Sequence, residues 1–219
     1  KWLKNELLQN IEHEMRTPIT GITSLGQVLW DNYDKFNEEQ RRNAIKGIAQ
    51  SSERLTSLVN NLIDLSKLKS LTYELSCTKV NLSELIYQRS EICRKIYLND
   101  KELEFIYDIQ DNVMVNCDKH YIISTLDNLI TNAISYSHEG TITFSFRKEE
   151  NFVKFNITDE GLGIPPQELH HIFGTFMVSS RTKAPSGGRG LGLALCKKVI
   201  EAHKGQIWCE SDGKNGSSF

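Results

Sequence analysis

No pair of cysteines in this 219-residue chain has CxxC spacing, and no apolar run reaches the roughly 18 to 20 residues of a membrane span. The five cysteines are Cys77, Cys93, Cys117, Cys196 and Cys209. An odd, scattered set argues against a zinc site and for reduced, mostly buried thiols in a reducing compartment. Charge of one sign is also lacking: the formal net charge is -2, with acids and bases interspersed. That leaves no electrostatic footprint for nucleic acid and no polybasic patch for a lipid surface. There is no signal peptide, no internal repeat and no low-complexity tract. The sequence starts at Lys1 without a methionine, which reads as a fragment. The expected location is cytoplasmic, with a membrane anchor outside the fragment left open.

What is present is an ordinary globular composition, 39% hydrophobic and 25% charged, on a length that suits one or two domains. Residues 1–70 have helical periodicity. Leu3, Leu7 and Ile11 recur every four residues, and Ile22, Leu25 and Leu29 resume the stripe after Pro18. Ile48, Leu55, Leu58, Leu62 and Leu65 follow the three-four alternation of a coiled-coil or bundle seam. The polar stretch Asn32 to Glu38 suits a turn, so an antiparallel hairpin is expected. Two helices leave much of that stripe uncovered, and a second copy completing a four-helix bundle would bury it. A homodimer is the prediction. Residues 71–77 read as a linker. Residues 78–219 mix periods: Leu103 to Ile109, Thr141 to Phe146 and Phe152 to Ile157 alternate like strands. Asp118 to Ser135 and Leu191 to His203 read as helices, the second stopped by Gly205. A further helix starts near Leu82, capped by Asn81 or Ser83. The fold class is α+β: a helical hairpin, then an α/β sandwich.

Four segments carry chemistry. In Ile11-Glu12-His13-Glu14-Met15-Arg16-Thr17-Pro18, an imidazole on a helix stands beside a carboxylate. One ring nitrogen of a neutral histidine is a nucleophile, the other holds a proton, and Glu14 is placed to take it. Thr17 lies one turn on, on the same face, where it can orient a water. Pro18 cannot donate to the Glu14 carbonyl, so the helix should bend or loosen there. Asn128 and Asn132 share a face of a helix and offer carboxamides to a metal or to phosphates. Asp159, at a strand end before Gly161-Leu162-Gly163, can accept from an exocyclic amine such as adenine's, and its glycines allow close backbone approach. Ser186 to Leu193 is glycine-rich before a helix, a phosphate-binding arrangement, though no Gly-Lys-Ser/Thr makes it a Walker loop. The polar stretch between Phe173 and Gly187, with Arg181 and Lys183, reads as a lid that brings positive charge to phosphates.

In this order the segments resemble the catalytic core of the two-component sensor histidine kinases. His13 to Pro18 is similar to the phosphoacceptor box, Asn128 to Asn132 to the asparagine box, and Asp159 to Gly163 to the first glycine box. Phe173-Gly174-Thr175-Phe176 resembles the phenylalanine box, Gly188 to Gly192 the second glycine box, and Gly216-Ser217-Ser218-Phe219 the final glycine motif. The resemblance implies a dimerisation and phosphotransfer domain over 1–70 and a Bergerat-type ATP-binding domain over 78–219. It implies ATP with Mg2+, the metal held by Asn132. The nucleotide contacts it implies are Asn128, Asn132, Tyr136, Asp159, Gly161, Gly163, Arg181, Lys183, Gly188, Gly190, Leu191, Gly192 and Ser217. It implies a homodimer that labels His13, passes the phosphoryl group to an aspartate of a response regulator, and dephosphorylates that regulator with the help of Glu14 and Thr17. The chain departs from the family at Ser135, where lysine is usual, at Arg189, where a small hydroxyl residue is usual, and at Gly174, where an acid is commoner. The alternative reading is a nucleotide-switched dimeric scaffold without kinase activity.

Overall fold

A computed structural model describes residues 2–70, 73–177, 179–181 and 190–219, with side chains from Leu8 onward. The chain falls into two compact units, Lys1–Ser66 and Lys67–Phe219.

The first unit is built on two helices, α1 (Trp2–Asp31) and α2 (Glu38–Lys69). Helix α1 runs on through Pro18. The turn between them is set by side chains. Asn37 accepts from the Gln40 amide at 2.8 Å while Gln40 accepts from the Asn37 amide at 2.9 Å, a reciprocal cap that starts α2. Arg41 reinforces it, donating to the Tyr33 carbonyl at 2.8 Å with its guanidinium 4.3 Å from the Tyr33 ring centre. Leu58 and Leu65 of the predicted seam are buried. Ile19, Val28, Ile45 and Ile63 remain 42%, 45%, 55% and 46% exposed, so the hairpin by itself covers only part of its apolar surface.

The second unit is a sheet with helices on one face. Its strands are β2 (Glu102–Ile109), β4 (Glu139–Lys148), β5 (Val153–Asp159) and β6 (Ser217–Ser218), in the order β2-β4-β5-β6. Strand β2 runs parallel to β4, and the other neighbours are antiparallel. Helices α3 (Leu82–Tyr97), α4 (Lys119–Tyr136) and α5 (Gly192–Ala202) supply the other layer. Alternation places Ile142, Phe144 and Phe146 of β4 in the core, each fully buried, against Ile86 of α3 and Ile130 and Ile134 of α4. A two-stranded ribbon, β1 (Thr78–Asn81) with β3 (Met114–Cys117), was not expected from the sequence. Four-residue strands are too short to show a period.

The helix caps are built locally. Asn81 caps α3, accepting from the Glu84 amide. Asp118 caps α4, accepting from the His120 and Tyr121 amides. The end of α5 differs in detail from the expectation. The residue in the left-handed conformation is Lys204, at φ 62°. Gly205 follows it and donates to the Ile200 carbonyl at 2.9 Å, while Lys204 donates to Glu201 at 2.9 Å, the paired closure of a Schellman end. Among the described residues no helix is long and apolar enough to cross a membrane.

Candidate functional site

On α1, the His13 side chain stands 78% exposed, with its Nδ1 3.7 Å from a carboxylate oxygen of Glu14, itself 31% exposed. The separation is that of an ion pair, longer than a hydrogen bond. One turn on, the Thr17 hydroxyl donates weakly to the His13 carbonyl at 3.4 Å, the back-bond a helical threonine makes to the residue four before it. Glu12 and Arg16, which flank the histidine, pair with each other at 2.5 Å. The imidazole is therefore open to a bulky electrophile, and its nearest acid is its neighbour.

In the second unit the centre of the arrangement is Asp159, the last residue of β5 and only 4% exposed. Ser217 of β6 donates its hydroxyl to one carboxylate oxygen at 2.6 Å, and the Gly161 amide donates to the other at 2.9 Å. Burial pushes the Asp159 carboxyl above its usual range, while the hydroxyl of Ser217 and the amide of Gly161 pull the other way. Tyr136, at the end of α4, presents its carbonyl to the Leu162 amide at 3.1 Å. The loop packs so closely there that a Cβ on Gly161 would stand 2.4 Å from that same oxygen. Gly163 is left-handed at φ +69°, and Gly216, at φ +88°, lies where a Cβ would meet the Asp159 carbonyl at 1.8 Å. Only glycine fits at Gly216, so the final motif and the first glycine box are locked face to face.

Asn128 and Asn132 are both half-buried on α4. Asn128 donates its amide nitrogen back to the Ser124 carbonyl at 2.9 Å, and its oxygen lies 2.7 Å from where a Gly192 Cβ would be. It thereby seats the first turn of α5 against α4. The Asn132 carboxamide has no hydrogen-bond partner among the described residues. Leu191 is buried at the entrance of α5. Gly190, left-handed at φ +64°, accepts at its carbonyl from the Phe176 amide at 2.8 Å. Arg181 is exposed and donates to the Leu162 carbonyl at 2.8 Å, so its guanidinium is held on the first glycine box. Lys183, Gly188 and Arg189 lie outside the described residues.

Three supports of this region were not legible beforehand. Ser211 accepts from the Ile164 amide at 2.9 Å and donates to the Gly216 carbonyl at 2.6 Å, tying the two glycine motifs together. Glu168 takes the Ser179 hydroxyl at 2.6 Å and the Ser180 amide at 3.2 Å, and these bonds hold its carboxyl below the usual range. Lys101 caps the end of α4, donating to the carbonyls of Ile134, Ser135 and Ser137 at 2.5, 3.1 and 2.8 Å. A cation thus does reach the Ser135 position, but it is spent on backbone. The turn-rich run Ser211 to Gly216 was the available signal for the first of these. The other two are long-range contacts without a local pattern.

Comparison with known proteins agrees with this geometry. A family model described as His Kinase A (phospho-acceptor) domain matches residues 3–71, and one described as Histidine kinase-, DNA gyrase B-, and HSP90-like ATPase matches residues 117–219. By the two matches together, the chain has the phospho-acceptor and ATPase domains of a sensor histidine kinase catalytic core. It is 34% identical, over 99% of its length, to the sensor histidine kinase WalK of Bacillus subtilis, and spans 36% of that relative. Among solved structures it is similar to the Acinetobacter baumannii histidine kinase AdeS, with a TM-score of 0.75, 28% identity and 94% of each chain covered. It is also similar to the histidine kinase ThkA, solved in complex with the response regulator protein TrrA, with a TM-score of 0.70, 25% identity, and 98% of this chain and 59% of that one covered.

Proposed function

We propose that this chain is an ATP-dependent protein histidine kinase that phosphorylates His13 and passes the phosphoryl group to an aspartate of a response regulator. The observation that carries the reading is an exposed His13 beside Glu14 in the same chain as a buried, hydroxyl-clamped Asp159 framed by glycines. Residues 1–70 serve as the dimerisation and phosphotransfer domain, 71–77 as linker, and 78–219 as the nucleotide-binding domain. Asp159 reads the exocyclic amine of adenine. The glycines at 161, 163 and 216 let the two glycine motifs close around Asp159, where a Cβ would clash with neighbouring backbone.

The chemistry falls mainly to positioning. Nδ1 lies on the Glu14 side of the ring, 3.7 Å from the carboxylate, so the tautomer with its proton on Nδ1 leaves the lone pair of Nε2 free to attack. Nε2 attacks the γ-phosphorus of ATP in line. The N–P bond forms as the bond to the bridging oxygen breaks, ADP leaves with that electron pair, and Glu14 takes the Nδ1 proton. The Asn132 carboxamide oxygen is a hard donor of the kind Mg2+ accepts, and among the described residues none hydrogen-bonds to it. When bound, that ion offsets phosphate charge. Lys183 and the loop through Gly188, Gly190, Leu191 and Gly192 are the phosphate-side contacts, and Arg181 joins them on leaving the Leu162 carbonyl that holds it here.

The test is incubation with γ-labelled ATP. An acid-labile, base-stable label is expected on the wild type and none on His13→Gln. A label that persists in the variant overturns the assignment of the acceptor.

A further inference from the structure

The expected linker is not loose along its length. Its second half lies on the nucleotide-binding unit and is held at both ends. Tyr73 accepts a hydrogen bond from the Tyr121 hydroxyl at 3.1 Å, and the two rings meet edge to face with centres 6.1 Å apart. Ser76 donates its amide to the Asp118 carboxylate at 2.9 Å. Both partners of the strap are buried, Tyr121 at 2% exposure and Asp118 at 5%. Both sit in the first turn of α4 or its cap.

That cap is also tied to the end of the other nucleotide helix. The Asp118 amide donates to His203 Nε2 at 3.0 Å, and His203 Nδ1 lies 2.8 Å from the Val199 carbonyl of α5. Asp118 therefore gathers three segments: the linker, the start of α4 and the end of α5. The helix bearing Asn128 and Asn132 begins where the linker is fastened.

We infer that residues 73–77 form a strap whose docking on Tyr121 and Asp118 restrains phosphoryl transfer, so that release of the strap speeds labelling of His13. The argument is one of reach. Delivering a γ-phosphate to a histidine on another unit is a search made by a tethered domain, and each fastened tether residue removes conformers from that search. Two hydrogen bonds and one ring contact are a weak clamp, which suits a contact that opens and closes during each cycle. The inference rests on the proposed kinase reading for its consequence, though not for the docking itself.

The test uses the whole chain and two variants at opposite ends of the strap. Tyr73→Ala removes the ring and hydroxyl. Ser76→Pro removes the amide that Asp118 accepts, in a stretch with no helix to disrupt. Neither residue belongs to the nucleotide or acceptor sites. Backbone hydrogen exchange over 73–77 is expected to accelerate tenfold or more in Tyr73→Ala, with β4 and β5 unchanged. At saturating ATP, labelling of His13 is expected to rise threefold or more in both variants, while affinity for a fluorescent ATP analogue stays within twofold. Tyr73→Phe, which keeps the ring, should fall between wild type and Tyr73→Ala. Unchanged exchange over 73–77 overturns the docking. Faster exchange with a labelling rate equal to or below wild type overturns the restraint. A wild type that binds no nucleotide refutes the kinase reading instead, and the exchange measurement still decides whether the strap docks.

Discussion

At the scale of single residues, Asp159 concentrates most of the chemistry and most of the cost. Its carboxyl is pushed up by burial. In the unfolded chain the same group loses its proton near the ordinary value of about 3.9. As pH rises above about 4 the unfolded state deprotonates first, the native state holds more protons, and stability falls until the native group ionises too. Asp159→Asn is expected to abolish that part of the pH dependence in urea titrations, and to unfold no more easily than wild type at pH 7. Its affinity for ATP should nonetheless drop tenfold or more, because an amide NH2 then meets adenine's amine. Retention of wild-type affinity would remove adenine reading from this residue. The position of Asp159 was legible, since a carboxylate at a strand end before Gly-x-Gly is a local pattern. Its partner Ser217 lies 58 residues away, and nothing in the local sequence announces the bond between them.

At the scale of elements, periodicity did well wherever an element was long. Leu58, Leu62 and Leu65 show the seam of α2, and Ile142, Phe144 and Phe146 show the buried face of β4. The ribbon of β1 and β3 escaped because four residues carry no period, and the end of α5 was misplaced by one residue because glycine drew attention from its neighbour. Lys204 bears the left-handed strain, so Lys204→Gly is expected to stabilise the protein by about 1 kcal/mol, seen as a higher midpoint in thermal unfolding. On α1, the Thr17 hydroxyl donates weakly to the His13 carbonyl. Thr17→Ala should therefore leave labelling of His13 within twofold. It should slow the loss of phosphate from a labelled regulator at least fivefold if the hydroxyl orients the attacking water. Equal dephosphorylation by both proteins would free Thr17 from that role.

At the scale of the whole molecule, the hairpin's exposed Ile19, Val28, Ile45 and Ile63 call for a second copy. Burying such side chains contributes about 25 cal/mol per Å2 of apolar surface removed from water, which is the drive for a second hairpin to pack here. Sedimentation equilibrium at micromolar concentration is expected to report a dimer, and Ile45→Glu with Ile63→Glu to shift it to monomer. Monomer alone in the wild type would leave the stripe without its occupant. The sequence of the hairpin repeats every three to four residues, whereas the strands of the second unit alternate every two.

The clasp between Ser217 and the end of β5 also orders events in time. On a ribosome, β5 emerges nearly sixty residues before the hydroxyl that fastens its last side chain. The nascent domain can thus collapse around β4 and β5 while the proposed adenine reader is still unclasped, and that side chain is set only when β6 zips on.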